Sequence, residues 1–241
     1  MAILRIAHRG AAGTRPELTL PAFERALELK VDMIELDVQL TRDGQLVVLH
    51  DRSLGRTVPA SGPVRERTLA ELAALDAGTW FDARYAAARV PSLDAVLRLT
   101  AGRAELNVEI KSPPQDLEAT ADVLVQLLER HQRLGGTIIS CFDMGALHVV
   151  RARSAAARLG VLWQTADLEA MWEHAARLGA VAVHPLWGLV DEAFIAAGRA
   201  RGCRTIVWTV NDSDAIAAVA ALGVDGIISD YPERLVCLPA A

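Results

Sequence analysis

The sequence predicts an α/β protein built as a TIM (β/α)8 barrel, with a small insertion after the second barrel strand. Eight short apolar segments have the character of strands, helical patterns separate nearly all of them, and 241 residues suffice for one such barrel. No GxGxxG or GxxxxGK sequence follows a predicted strand, which argues against a nucleotide-binding sheet. The predicted strands are residues 3–7, 33–38, 106–110, 137–141, 159–163, 180–183, 204–209 and 226–229.

The helices between these strands follow from apolar spacing and from residues that favour helix starts. Residues 20–30 place their apolar side chains on one face, as an amphipathic helix does. Thr19 is a candidate N-cap there, and Pro21 lies in the first turn, where its missing N–H costs little. Ser92 is a candidate N-cap for the next helix. The further predicted helices are residues 93–99, 117–131, 146–157, 168–178, 191–200 and 214–222.

A β-hairpin is predicted directly after the second barrel strand. Asp43-Gly44 is typical of a two-residue turn, because both residues tolerate the positive φ that such turns require. With these residues at the centre, Asp37 lies directly opposite His50, with Cβ atoms roughly 4.5–5.5 Å apart. The next residues, 51–91, fit no simple helix or strand repeat. We interpret them as an insertion within a single domain that spans residues 1–241.

The composition indicates a folded protein that does not bind nucleic acid. Hydrophobic residues make up 52% of the chain and charged residues 23%, so a substantial core can form. The formal net charge is −5 and no basic tract is present, which argues against nucleic acid as a partner. No apolar run approaches the ~20 residues that a membrane-spanning helix needs.

The cysteines and the N-terminal residues favour a cytoplasmic location. Cys141, Cys203 and Cys237 are odd in number and share no CxxC spacing, as expected of unpaired thiols in a reducing compartment. The chain enters a strand-like segment almost at once and lacks the features of a signal peptide. The sequence leaves both a monomer and a homodimer open.

Three carboxylates are expected to converge at the carboxyl ends of the strands, where such barrels carry their active sites. Glu35 and Asp37 share one face of the second strand, and Glu109 ends the third. Without a counter-charge they would raise one another's pKa, whereas one divalent cation would remove the repulsion. Oxygen ligands favour Mg²⁺ or Ca²⁺. The alternative is an ion-pair network with Arg9 and Lys111.

Two histidines and two cations reach the same edge of the predicted barrel. His8 follows the first strand and His50 ends the hairpin, and histidine is well suited to exchange protons near neutral pH. Arg9 and Lys111 are suited to a phosphate group. A metal ion, two cations and an acid–base pair together favour cleavage of a phosphoric ester.

Two other residues at strand ends allow two interpretations each. Trp208 could form an apolar wall against a ligand or could serve only barrel packing. His184 could line the same edge or could be a structural histidine.

Short motifs extend along nearly the whole chain. They are His8-Arg9-Gly10, Pro16-Glu17-Leu18-Thr19, Ile34-Glu35-Leu36-Asp37-Val38, Thr41-Arg42-Asp43-Gly44, Val47-Val48-Leu49-His50-Asp51, Pro91-Ser92-Leu93, Asn107-Val108-Glu109-Ile110-Lys111, Trp208-Thr209-Val210-Asn211 and Asp225-Gly226-Ile227-Ile228-Ser229-Asp230-Tyr231-Pro232. Each is weak alone, but their order and spacing are specific. In these motifs the chain resembles the bacterial glycerophosphodiester phosphodiesterases, a TIM-barrel family related to the phosphatidylinositol phospholipases C.

This resemblance implies hydrolysis of glycerophosphodiesters to sn-glycerol 3-phosphate and a free alcohol. It also implies that residues 51–91 shape the pocket for the alcohol. The implied residue roles are an acid–base pair of His8 and His50, one divalent cation on Glu35, Asp37 and Glu109, and phosphate contacts from Arg9 and Lys111.

The chain departs from the family pattern at one position. The family usually has Pro-Glu-Asn-Thr, and here Leu18 replaces the asparagine. Hydrogen bonds of that amide near Arg9 and Glu17 would be lost. Glu17 itself stays a candidate at the substrate site.

Two other functions fit the same residues. One is a related phosphodiesterase that acts on lysophospholipids, as a lysophospholipase D does. The other is a non-catalytic barrel that binds a phosphate ligand, although pure binding does not require a proton donor and a proton acceptor.

Overall fold

The computed structural model describes residues 3–238, which form a closed barrel of eight parallel strands. The barrel closes because β1 pairs in parallel with both β2 and β11, so the predicted fold is confirmed. Two further strand pairings lie outside the parallel barrel: β3 pairs antiparallel with β2, and β4 pairs with β5. The strands are β1 (Leu4–Ala7), β2 (Met33–Leu40), β3 (Leu46–Val48), β4 (Ser53–Leu54), β5 (Gly62–Pro63), β6 (Glu105–Ile110), β7 (Thr137–Cys141), β8 (Arg158–Trp163), β9 (Ala182–Pro185), β10 (Arg204–Val207) and β11 (Gly226–Ser229).

The α-helices follow the barrel strands along the chain. They are α1 (Leu20–Glu28), α2 (Leu69–Ala73), α3 (Leu93–Thr100), α4 (Leu117–Arg130), α5 (Met144–Arg153), α6 (Leu168–Leu178), α7 (Glu192–Ala200) and α8 (Ser213–Leu222). Within residues 3–238, none of the helices has both the length and the apolar character needed to cross a membrane.

Strand β2 shows how alternation separates the core from the site. Ile34, Leu36 and Val38 belong to the large apolar cluster that includes the helices α1, α3 and α4. Met33, which begins the opposite face, packs with Ile6 and other apolar residues of the barrel strands. Glu35 and Asp37 share that face with Met33 because side chains two apart point the same way.

Element boundaries agree with the sequence to within a few residues, with two differences. The strand predicted at residues 180–183 is displaced to Ala182–Pro185. Thr19 precedes α1 but does not cap it with its side chain, because its hydroxyl donates to the Pro16 carbonyl at 2.6 Å. The cap at Ser92 is confirmed, since its hydroxyl accepts a hydrogen bond from the Ala95 N–H at 3.1 Å.

The hairpin register predicted from the sequence is wrong by one residue. Strands β2 and β3 pair Val38 with Val48 and Leu40 with Leu46, which places Asp37 opposite Leu49 rather than His50. The loop has three residues, not two, and ends with Gly44 at a φ of +69°. A type I turn followed by a left-handed glycine is a common three-residue solution, and Asp-Gly suits it as well as the two-residue turn.

Residues 51–91, here called the insertion, contain short elements with an apolar cluster of their own. The strands β4 and β5 and the helix α2 lie in it, and Leu54, Val64 and Leu72 pack together with residues of the hairpin. Thr68 and Glu71 form a capping box at the start of α2. That these residues are an insertion within one domain stays a prediction.

Gly10, which follows His8 and Arg9, has both a conformational and a steric reason to be glycine. Its φ is +81°, and a Cβ there would lie 2.7 Å from the Ala22 carbonyl carbon. Gly44 also has a positive φ, but a Cβ there would meet no atom within 4 Å. A side chain at Gly44 would cause backbone strain alone, whereas a side chain at Gly10 would cause backbone strain and steric overlap.

We expect Gly10→Ala to be clearly more destabilising than Gly44→Ala. Both variants incur the left-handed backbone cost of roughly 1–2 kcal/mol, and Gly10→Ala adds about 1–3 kcal/mol of overlap with the α1 backbone. The measurement is the free energy of unfolding in urea. Equal losses in the two variants would contradict the steric account of Gly10.

Candidate active site

All of the predicted site residues except Asp37 and Glu17 line a cavity of about 210 Å³ at the carboxyl ends of the barrel strands. A larger, mostly apolar cavity of about 540 Å³ lies elsewhere, between α1, α3 and the insertion, and contains none of them. The smaller cavity is lined by His8, Arg9, Glu35, His50, Glu109 and Lys111, among others. Asp37 is buried beside them.

The three carboxylates form one buried cluster. Glu35, Asp37 and Glu109 each offer an oxygen within 4.8 Å of the other two. Burial, followed by the charges of Asp37 and Glu109, raises the pKa of Glu35 well above its usual range. Burial and then Asp37 raise the pKa of Glu109 to about 7. A divalent cation would relieve both costs, so these donors fit a hard metal ion.

Arg9 and Lys111 also reach the carboxylates, as the ion-pair alternative predicts. The Lys111 ammonium lies 2.5 Å from Glu109 Oε1 and 3.6 Å from Asp37 Oδ1. Arg9 Nε lies 3.4 Å from Asp37 Oδ2, but neither atom has a hydrogen-bond partner in the described chain. The pairing therefore leaves an Asp37 oxygen free for a further ligand. Burial lowers the pKa of Lys111, but the charges of Asp37 and Glu109 outweigh the effect of burial, so the pKa is raised overall.

His8 is oriented by the opposite end of the chain. Its Nδ1 lies 2.6 Å from Asp230 Oδ1, and Asp230 Oδ2 accepts a hydrogen bond from Asn211 at 2.6 Å. A carboxylate can only accept, so His8 Nδ1 carries the proton. His8 Nε2, 3.8 Å from Glu35 Oε2, is the ring nitrogen that Asp230 does not hold.

His50 is oriented in the same way by the next residue in the chain. Its Nδ1 lies 2.7 Å from Asp51 Oδ1, so Nδ1 is again the donor to a carboxylate and Nε2 is the ring nitrogen that the carboxylate does not hold. Partial burial lowers the pKa of His50, although Asp37 opposes this effect. Asp51 in turn binds Arg56, which also binds Glu17. Sequence reasoning missed Arg56, because it lies in the insertion and belongs to no motif that indicates chemistry.

The loop after β1 holds Arg9 through an unusual backbone. Arg9 has a φ of +51° and Leu18 a φ of +57°, and the Leu18 N–H donates to the Arg9 carbonyl at 3.0 Å. Asparagine tolerates the left-handed region better than leucine does, so this backbone would suit an asparagine at position 18. Leu18 adopts the left-handed conformation here and buries its side chain in the main apolar cluster. The Arg9–Glu17 pair survives at 2.9 Å.

Aromatic side chains form one wall of the cavity. Trp208 and Phe142 both line it and meet edge to face, with ring centroids 5.5 Å apart. The Trp208 indole donates to the His184 carbonyl at 2.7 Å. Phe142 was not predicted, although it follows β7 directly. The His184 side chain is fully buried and does not line the cavity, so the structural interpretation of this residue is the one the structure supports.

Another cavity, of about 510 Å³, adjoins the 210 Å³ cavity that holds the site residues. The two share His50, Glu109, Lys111 and Phe142, so these side chains form a ridge between them. The second cavity extends along Asp51 and Asp143. A ligand centred on the ridge could therefore place one end in each cavity.

Comparison with known proteins places these features in one family. Residues 8–234 match the glycerophosphoryl diester phosphodiesterase family. A glycerophosphodiester phosphodiesterase of Caldanaerobacter subterraneus is 37% identical, over 99% of this chain and 98% of that protein. One from Bacillus subtilis is 32% identical, over 96% of this chain and 84% of that protein. An Oleispira antarctica phosphodiesterase, solved in complex with the product sn-glycerol-3-phosphate, superposes with a TM-score of 0.90 at 30% identity, over 95% of this chain and 94% of that one.

Proposed function

The chain is an enzyme of the glycerophosphoryl diester phosphodiesterase family, and on this basis we propose that it hydrolyses glycerophosphodiesters to sn-glycerol 3-phosphate and an alcohol. One observation supports the proposal above all. Two imidazoles, each held at Nδ1 by a carboxylate, and two cations lie beside a buried carboxylate cluster in a single cavity. Acid–base catalysis on a phosphate diester needs this set of groups.

Glu35, Asp37 and Glu109 would hold one divalent cation, Mg²⁺ or Ca²⁺. Such an ion supplies positive charge to the phosphate oxygens as negative charge develops on them. The free Asp37 oxygen and the raised pKa values of Glu35 and Glu109 support its placement there. Arg9 and Lys111 contact the phosphate from the same side.

The two histidines divide the proton transfers between them. His8 Nε2 accepts the proton of the glycerol 2-hydroxyl, whose oxygen attacks phosphorus. His50 enters the cycle as an imidazolium with its Nδ1–H bound by Asp51, and its Nε2–H donates the proton to the oxygen of the departing alcohol. Water then opens the resulting cyclic phosphate, with the roles of the two histidines reversed.

The two adjoining cavities suit the two ends of a diester. His8 lines only the smaller cavity, so the glycerol with its reacting hydroxyl lies there against Trp208. His50 lines both, so the alcohol leaves through the adjoining cavity of about 510 Å³. Glu17 acts by holding Arg9, which it contacts at 2.9 Å, rather than by touching the substrate.

The test is release of sn-glycerol 3-phosphate from glycerophosphocholine, measured after treatment with a chelator and after adding back Mg²⁺ or Ca²⁺. We expect activity to disappear with the chelator and to return with one of the cations. Lysophosphatidylcholine in the same assay tests the lysophospholipase D alternative. Absence of cation-dependent turnover on every diester tried would favour the non-catalytic phosphate-binding barrel.

Three predictions from the sequence concern the protein beyond this site. A cytoplasmic location, the absence of a nucleic-acid partner and a monomeric or homodimeric state stay predictions. Each is open to a direct measurement, by fractionation, a DNA-binding assay and light scattering.

A further inference from the structure

A side chain outside every predicted site connects two parts of the candidate active site. Arg56 lies in the insertion and forms two-pronged ion pairs with two different carboxylates. Its Nε and Nη2 atoms lie 2.6 and 3.2 Å from the oxygens of Asp51, and its Nη1 and Nη2 atoms lie 2.9 and 2.7 Å from those of Glu17.

Each of these carboxylates orients a residue of the proposed mechanism. The other contact of Asp51 is His50 Nδ1 at 2.7 Å, and the other contact of Glu17 is the Arg9 guanidinium at 2.9 Å. The contacts therefore run from His50 through Asp51, Arg56 and Glu17 to Arg9 without interruption. The loops that carry these groups come from different strands, so no local backbone constraint sets their separation.

We propose that Arg56 is a positioning residue, which holds the acid–base group His50 and the phosphate contact Arg9 in a fixed relative arrangement. The inference rests on the proposed function, and it assigns Arg56 no contact with substrate. Arginine is the one side chain whose planar fork can bind two carboxylates in this way, while lysine offers a single charged nitrogen.

The pKa of Asp51, which is paired with Arg56, agrees with this role. The hydrogen bond from Arg56, together with that from His50, lowers the pKa of Asp51 to about 2. Asp51 is therefore an ionised acceptor for the His50 Nδ1–H at every pH where the enzyme would work, which keeps Nε2 free for the substrate.

The chain offers a matched control within the same insertion. Arg65 also forms a two-pronged ion pair, with Asp116 at 2.8 and 3.2 Å. Its side chain is 45% exposed, against 43% for Arg56. Arg65→Gln therefore removes a similar surface ion pair that has no connection to the site, and such pairs contribute little to stability.

The experiment compares Arg56→Gln, Arg56→Lys and Arg65→Gln with the unchanged enzyme on glycerophosphocholine and on the p-nitrophenyl ester of glycerol phosphate. We expect Arg56→Gln to lower kcat on glycerophosphocholine by about 10- to 100-fold, with little change in KM, because misplacement by 1 Å has effects of this size. The loss on the nitrophenyl ester should be smaller, since nitrophenolate departs without a proton from His50. Arg56→Lys should be intermediate and Arg65→Gln close to the unchanged enzyme.

A second readout does not depend on turnover. Nitrogen-15 NMR of the histidine side chains, recorded at a pH where the His50 ring is neutral, should show its remaining proton on Nδ1 in the unchanged protein and in Arg65→Gln, and a mixture of tautomers in Arg56→Gln. The proposal is overturned if Arg56→Gln matches Arg65→Gln in kcat and in tautomer, or if its defect is confined to KM. If the unchanged enzyme hydrolyses no diester, the proposed function fails, and the NMR comparison still decides the role of Arg56. Should Arg56→Gln not fold, Arg56→Lys provides the same comparisons.

Discussion

Replacing His50 with alanine is expected to lower kcat on glycerophosphocholine by about 10²–10⁴-fold, the contribution that a positioned proton donor makes. His50 lines both cavities, and Asp51 binds its Nδ1, which leaves Nε2 to carry the proton for the departing alcohol. Removing the ring therefore leaves the departing alcohol without a proton donor. Its side chain is partly exposed and belongs to no apolar cluster. The fold should therefore remain intact, as measured by the thermal unfolding midpoint.

Two comparisons make this result specific. His148→Ala removes an exposed imidazole on α5 that lines neither cavity, and it should leave kcat unchanged. A substrate with a nitrophenolate leaving group should recover much of the rate lost in His50→Ala. Near-normal turnover of glycerophosphocholine by His50→Ala would refute the role of His50 as the acid.

Replacing Glu35 with glutamine is expected to abolish cation-dependent activity and yet to stabilise the protein in the presence of chelator. Glu35 is buried beside Asp37 and Glu109, and its charge is unfavourable there. Glutamine removes that charge and can still accept the hydrogen bond from the Arg9 N–H, now 3.1 Å from Glu35 Oε2. Activity should fall by about 10²-fold or more, because bound metal ions contribute several kcal/mol and each 1.4 kcal/mol is tenfold.

The measurement is the unfolding midpoint with chelator and with Mg²⁺ or Ca²⁺, recorded alongside activity. A cation at 100 times its Kd stabilises the unchanged protein by about 2.7 kcal/mol, and each kcal/mol corresponds to about 2–4 °C at this chain length. Glu35→Gln should lose most of that increment. Glu28→Gln, which removes an exposed ion pair with Arg25, should keep it. An undiminished cation effect in Glu35→Gln would contradict the assignment of the metal site.

Local patterns were sufficient for the carboxylates of β2 but not for His50. Glu35 and Asp37 share a face because strand side chains alternate, and neighbouring residues cannot change this. The placement of His50 depended on the turn, and a single extra loop residue changed every opposed pair in the hairpin. His50 nevertheless reaches the cavity, because β3 ends at Val48 and the chain leaves the ladder before residue 50.

The groups that orient the two histidines could not be predicted from the sequence, for a different reason. Asp51 follows His50 directly, but its partner Arg56 stands in a segment without periodicity, where no rule connects spacing to position. Asp230 is 222 residues from His8 and contacts it only because β11 and β1 pair when the barrel closes. The sequence places Asp230 at a strand end and cannot say which neighbour it meets.

Hydrophobic alternation, helix spacing and the order of motifs determined the barrel, its carboxyl-end site and the chemistry of the residues there, because these are properties of short stretches of chain. The tertiary structure alone decided which groups orient the histidines, how the insertion reaches Arg9 and how two cavities meet at a ridge. These contacts join residues from distant strands, and their geometry depends on barrel closure and loop packing, which no local spacing encodes.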